Sequence, residues 1–376
     1  MRNRNGWRIA IAVITIALVL ATTRRADAAA TKTPLLRHVL LIILENKGFD
    51  ETFVAGQNDP YLARDLTKQG ELLTNYYGIG HFSLDNYIAM VSGIAPNPDT
   101  QADCFTYLDF APPDAPLDHE GQVHGRGCVY PRKVTTLANQ LEAKGLTWAG
   151  YMEDMSRPCD RPRLGRQDDH IHARAGDQYA TRHNPFVYFH ALTDTNSCSL
   201  HDLPLGSLEH DLKTVATTPN LVFITPNLCN DGHDGPSPIC VGGGLQSADR
   251  FLREWVPRIL ASPAYQQDGM LIITFDEAEV NVKNHQVQPH GTDATSCCAE
   301  ATGPNTQLPG LTGPGGGSVG AVILSRYVKP GSTNDTPYNH YSLLRSLEDL
   351  FGLDHLGYAA QSGLKAFGDD VYNAQQ

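Results

Sequence analysis

The stretch HVLLIILENKGF (residues 38–49) decides the fold. Its first seven residues are almost continuously apolar rather than alternating, as expected of a strand buried on both faces of a parallel sheet. The run then breaks into Glu45-Asn46, two polar groups placed where such a strand would end. Similar apolar runs occupy 146–151, 220–225, 270–275 and 319–324, and helical patterns fall between them at 84–91, 134–144, 246–260 and 341–351. Strands alternating with helices predict an α/β fold, a three-layer α/β/α sandwich with a mainly parallel sheet. Residues 96–131 and 281–317 are irregular and rich in Gly, Pro and Asp, which marks them as loop insertions of the length that usually serves function. With no internal repeat and no clean linker, residues 29–376 read as a single domain.

The N-terminus reads as an address. Arg2, Arg4 and Arg8 precede an apolar run from Ile9 to Ala21, and Ala26-Asp27-Ala28 offers a small-residue cleavage site. This pattern predicts a signal peptide over 1–28, cleaved near Ala28. The run falls short of the roughly 20 residues that span a bilayer. A secreted or periplasmic protein without stable membrane insertion follows. Eight cysteines fit an oxidising compartment. The simplest pairing joins neighbours along the chain, 104–128, 159–198 and 229–240, and leaves the adjacent Cys297 and Cys298 to bond each other or distant partners. A net charge of −12, from 29 Lys+Arg against 41 Asp+Glu, argues against general nucleic-acid binding, which neutralises phosphates with basic side chains. No coiled-coil repeat is present, so a monomer is the default.

In sheets of this kind ligands sit at the carboxyl ends of the strands. There the chain carries Glu45-Asn46, then HFSLDN (81–86) with Ser83 opening a helix, then Asn227 to Asp234 after the 220–225 strand, then Asp276-Glu277. Each has a plainer explanation: Ser83 as an N-cap, the 227–234 run as turn chemistry, the acidic pair as a solvated loop entry. Together, oxygen ligands converging on one rim make a site for a hard divalent cation. A Ser at a helix start has free backbone N–H groups beside it that bind phosphate oxygens. Carboxylate-held metal would activate its hydroxyl, Asn86 would reach a phosphate oxygen, and a His would protonate the leaving group or activate water.

Taken in order, HVLLIILENKGFDETF (38–53), GHFSLDNYIAMVSG (80–93), YATRHNPFVYF (179–189), FITPNLCNDGHDGP (223–236), LIITFDEAE (271–279) and HYSLLRSLEDLFGLDHLGYA (340–359) resemble the bacterial phosphoesterase family. That family contains secreted acid phosphatases and phosphocholine-type phospholipases C. The resemblance implies an alkaline-phosphatase-like fold and a phosphoserine intermediate. It further implies Glu45, Asn46, Asp276 and Glu277 as metal ligands, Ser83, His183, His233 and His340 as catalytic residues, and His81, Asn86, Asn227 and Asp231 as substrate contacts. One departure stands out: Asp85 occupies a position where the wider superfamily usually has Pro. The cofactor is expected to be one divalent ion, Ca²⁺, Mg²⁺, Mn²⁺, Zn²⁺ or iron, since Asp276-Glu277 lacks the second His of a two-zinc arrangement. His290 is placed for a lid contact, and Glu153-Asp154 for support of the site or for a plain loop.

Three functions compete. The first is a metal-dependent acid phosphatase acting on small phosphate monoesters. The second is a phospholipase C acting on a phospholipid headgroup; it needs an apolar entrance, and Phe105, Tyr107 and Phe110 form the only such cluster in the long loops. The third is a non-catalytic secreted interaction protein, disfavoured because Glu45, Asn46, Ser83, Asp276 and Glu277 are all retained.

Overall fold

Strand β1 (His38–Leu44) runs through the middle of the sheet, every residue of it buried, in a computed structural model that describes Met1, residues 34–284 and residues 286–374. The predicted signal peptide lies outside the described residues. In chain order the main sheet continues with β2 (Glu71–Leu73), β3 (Trp148–Met152), β4 (Asp202–Pro204), β5 (Leu221–Thr225), β6 (Gly269–Phe275), β7 (Ala321–Ser325) and β8 (Ser332–Asn334). Their spatial order is β8-β2-β7-β6-β1-β5-β3-β4. Only β7 runs antiparallel to its neighbours; β1 is parallel to β5 and β6, and β3 to β5 and β4. The expected mainly parallel sandwich is therefore what forms.

The helices explain why these strands can be apolar on both faces. Helices α1 (Ser83–Ser92), α2 (Leu137–Ala143) and α4 (His340–Phe351) pack on one another, while α3 (Leu245–Leu260) packs with the 61–66 segment and the Pro263–Asp268 turn. Each buried Leu, Ile or Val in β1 is worth about 1.5–3 kcal/mol relative to exposure, so the central strand anchors the whole layer. Helix α1 stops at Gly93, whose φ of 68° is left-handed, and a side chain there would strike the Leu356 carbonyl oxygen.

Four disulfides tie down the loops: Cys104–Cys128, Cys159–Cys198, Cys229–Cys240 and Cys297–Cys298. The three neighbour pairings are as expected, and the two adjacent cysteines bond each other. Among the described residues no helix is long and apolar enough to cross a membrane.

Because β1, β5 and β6 point the same way, their carboxyl ends share one rim. Leu44 is in register with Phe275, and the Asp276 N–H donates to the Leu44 carbonyl at 2.9 Å. On the other side of β1 the Glu45 N–H donates to the Asp231 carbonyl at 2.8 Å. The backbone ladder itself thus sets Glu45, Asp231 and Asp276 side by side.

Candidate active site

At the rim, Ser83 occupies the first turn of α1, following an extended Phe82, so its hydroxyl is turned away from the helix. It donates to Glu45 Oε2 at 2.9 Å. Glu45 is fully buried. Its other oxygen, Oε1, lies 3.0 Å from His183 Nε2, yet neither atom has a hydrogen-bonding partner among the described residues. His183 Nδ1 is 3.8 Å from Asp231 Oδ2, another buried oxygen without a partner. The ligand atoms of Glu45, His183 and Asp231 all fall within 4.8 Å of one another. Asn46 Oδ1 and Asp276 Oδ2 add two more buried, unpartnered oxygens.

Unpartnered buried oxygens are costly unless something else satisfies them. Here they converge, and neighbouring atoms at contact distance fail to bond each other. Such a cluster could hold a metal ion. The donor set of carboxylates, an amide oxygen and one imidazole fits a divalent cation. Burial raises the Glu45 pKa well above the carboxylate range, with the neighbouring charges of Asp276 and Asp231 adding to it. Burial likewise pushes Asp276 up to about 6 and Asp231 well up. His183 is driven the other way by burial and then by Arg182, which keeps its ring neutral and able to ligate.

Several expected roles are replaced. Asn86 is consumed by the turn before α1: its Oδ1 accepts from the Ile79 and Gly80 N–H groups at 2.7 and 3.1 Å, and its Nδ2 donates to the Gly80 and Phe82 carbonyls. It shapes the Ser83 turn and has no bond left for phosphate. Asn227 is spent in the same way, its Oδ1 accepting from the Cys229 and Asn230 N–H groups and its Nδ2 donating to Asp154. Glu153 closes that turn by accepting from the Asn227 N–H and from Asn230 Nδ2, so the Glu153-Asp154 pair supports the 227–231 loop.

His81 and His340 also lose their expected places. His81 Nδ1 contacts Glu277 Oε2, and its Nε2 bonds the Asp293 carbonyl at 3.0 Å. Glu277, expected as a ligand, is thereby held by a histidine. His340 is fully buried, with Nδ1 on the Tyr76 hydroxyl at 3.0 Å and Nε2 on the Asp276 carbonyl at 2.5 Å. Both ring nitrogens are engaged, so His340 buttresses the Asp276 backbone rather than facing substrate. His233 does reach the rim: its side chain is 46% exposed, 3.9 Å from Glu45 Oε2. Asp231, expected as a substrate contact, has its Oδ2 among the candidate ligand atoms of Glu45 and His183. His290 makes its contact with Asn281, through its carbonyl, on the exposed surface.

Two residues escaped the sequence reading. Asp103, from the 96–131 insertion, accepts the Leu84 N–H at 3.1 Å, so the expected free amides at the start of α1 are partly capped by a carboxylate. Arg182, also buried, lies 3.5 Å from Asp103, and its charge acts on Glu45 and Asp231 as well. It is a buried cation acted on by four carboxylates, those three and Asp168. Its signal was present as the residue before His183 in RHNPF, but nothing local distinguishes an Arg bound for the site from a surface one.

The Phosphoesterase family model matches residues 56–354. The phosphate-repressible acid phosphatase of Penicillium chrysogenum is 30% identical over 316 residues, covering 84% of this chain and 59% of its own. The phosphatidylinositol-3-phosphatase of Mycobacterium tuberculosis is 22% identical over 334 residues, covering 89% and 83%. The chain thus spans less than two thirds of the fungal relative. The solved structure of Ps i-CgsB superimposes with a TM-score of 0.50 at 12% identity, covering 88% of this chain and 75% of that one, a likeness of fold alone.

Proposed function

The chain belongs to the phosphoesterase family, and from that premise we propose that it hydrolyses phosphate monoesters as an acid-phosphatase-like enzyme, with Ser83 as nucleophile and a single divalent cation as cofactor. The observation that carries this reading is the Ser83 hydroxyl bonded to buried Glu45 within a cluster of unpartnered ligand atoms. Glu45, His183 and Asp231, with Asn46 and Asp276 beside them, would hold the cation. When bound, it would supply charge to polarise the phosphoryl group and favour the serine alkoxide.

The chain's own groups account for the remaining steps. Ser83 Oγ is held toward Glu45, which receives its proton as the oxygen attacks phosphorus. The P–O bond to the alcohol breaks, and the phosphoryl group remains on Ser83. Arg182, fixed by Asp103, offsets the negative charge of the phosphoryl oxygens. His233, the exposed imidazole of the rim, protonates the departing alcohol and then takes a proton from the water that attacks phosphorus, while the P–Oγ bond breaks and Glu45 returns its proton to Ser83 Oγ, releasing phosphate. Asn86 and Asn227 keep the Ser83 turn and the 227–231 loop in register. The four disulfides and the N-terminal pattern support a secreted or periplasmic setting.

Phosphate release from p-nitrophenyl phosphate, measured before and after EDTA and after add-back of each divalent metal, tests this reading. Loss with EDTA and recovery with one metal is the expected result. Full turnover in EDTA would overturn the metal, and hydrolysis of a phosphocholine diester alone would move the substrate to phospholipid headgroups.

A further inference from the structure

Away from the rim, a cavity of about 400 Å³ opens between two disulfide-tied loops. Three arginines line it, Arg157, Arg161 and Arg163, all from the segment RPCDRPRLGR (157–166). A cluster of this sign is unexpected in a chain of net charge −12. The backbone presenting it is stiff. Pro158 and Pro162 restrict φ within it, and Cys159 is bonded to Cys198. The segment is also pinned to the opposite wall: the Gly165 N–H donates to the Tyr107 carbonyl at 2.7 Å and the Tyr107 N–H to the Arg166 carbonyl at 2.9 Å. Tyr107 is itself buried, its hydroxyl donating to the Val187 carbonyl.

The charge balance inside the cavity is what matters. Arg157 is committed to Asp160 through two hydrogen bonds. Arg161 donates to the Cys159 carbonyl at 3.1 Å, and among the described residues neither it nor Arg163 pairs with a carboxylate. The one acidic residue in the lining, Asp194, is already taken by Arg132 at 2.9 Å and by His190 at 2.9 Å. His190 bonds Asp109 as well, at 2.7 Å. Burial opposes the charged ring, but these two carboxylates outweigh it and raise the His190 pKa. Among the described residues the cavity therefore holds two guanidinium groups that form no ion pair, the Arg161 charge reaching only Asp202 outside the lining, on a braced frame, with its own carboxylate neutralised.

We propose that this cavity is a second anion site, which takes a tetrahedral dianionic oxyanion, a phosphate or sulfate group, through Arg161 and Arg163. Guanidinium forks match such groups geometrically, and a preset frame lowers the cost of ordering them. The group could be free in solution or borne on a lipid headgroup; the chemistry of recognition is shared. None of the lining residues belongs to the Ser83 site, so the inference does not depend on the phosphatase reading.

Calorimetric titration of sodium sulfate into the full-length protein tests it, since sulfate is not turned over. The native chain is expected to bind with a component that Arg161→Ala/Arg163→Ala removes and that Arg163→Glu weakens by at least about tenfold, the loss of one charge-assisted contact. Arg163 is exposed and its side chain bonds nothing among the described residues, its carbonyl alone accepting from the Arg166 N–H at 3.0 Å, so Arg163→Glu keeps the test valid where the double variant does not fold. Its p-nitrophenyl phosphate turnover is expected to match the native chain. A parallel arm with phosphatidylcholine vesicles, with and without phosphatidylinositol phosphate, separates the sources: a loss confined to the vesicle arm assigns the site to headgroups, and a loss in the sulfate arm shows that the free group suffices. Isotherms and vesicle binding unchanged by both variants would overturn the site.

Discussion

His183 and His340 stand in equivalent-looking stretches of polar sequence, and both end up buried beside the same strand ends. Their surroundings differ entirely. His183 faces Glu45 and Asp231 with both ring nitrogens unpartnered, whereas His340 spends both on the Tyr76 hydroxyl and the Asp276 carbonyl. The same contrast divides the rim into two regions. Its front holds Glu45, Asn46, Asp231, Asp276 and His183, with atoms that nothing among the described residues satisfies; its back holds the His81–Glu277 and Tyr76–His340 contacts. Groups left unsatisfied on the inside of a protein are poised to bind, and satisfied ones hold the poised ones still.

The contrast can be broken most directly at the nucleophile. Ser83→Ala is expected to cut p-nitrophenyl phosphate turnover by about four orders of magnitude or more, the scale seen when a covalent nucleophile is removed. Undiminished turnover would leave the front without its chemistry. The next largest effect separates the two histidines. His183→Asn, which removes a proposed ligand, is expected to lower turnover by about 100-fold or more, while His340→Asn keeps it within about tenfold and instead lowers unfolding stability by about 1–3 kcal/mol, the cost of a buried unmet polar group. Paired kinetics and denaturant melts read both, and a reversed ranking would erase the distinction between front and back.

Arg182 sharpens the same line. Arg182→Ala is expected to cost about 10²–10³-fold in kcat, with Arg182→Lys recovering only part of it because a point charge cannot reproduce the fork. An equal loss in both unfolding stability and KM, with kcat unchanged, would make Arg182 a mere partner of Asp103.

The smallest effect lies far from the rim. Glu348 is buried, with one oxygen on the Leu356 N–H and the other unpartnered, and burial raises its pKa to about 8. Between the ordinary glutamate range and that value the folded chain keeps a proton that the unfolded chain has lost. The stability that Glu348 contributes is therefore fully present at acid pH and is lost as pH climbs toward about 8. Glu348→Gln is expected to flatten that part of the melting-temperature profile, and an unchanged slope would remove Glu348 as its source.

Part of the candidate cluster is legible in the sequence. Glu45, Ser83, Asp231 and Asp276 could be chosen because strand ends in a parallel sheet share a rim, and the apolar runs mark where strands end. Arg182 and Asp103 were not legible. One sits in a turn and the other in a disulfide loop, and neither belongs to an element whose period reveals its direction. The amide roles failed for a related reason. Asn86 and Asn227 each have donors and acceptors enough for phosphate, but whether those are free depends on which backbone groups the turn leaves unmet.

The sequence by itself determined the layered architecture, since uninterrupted apolar runs can be buried only inside a covered sheet; for the disulfides it offered neighbour pairing only as the simplest of many possibilities, and the structure made the choice. Tertiary structure alone decided which polar groups at the rim are free and which are spent. Residues 45, 83, 183 and 231 arrive from four separate segments, and a side chain's remaining hydrogen-bonding capacity is a property of its neighbours in space, which no local pattern records.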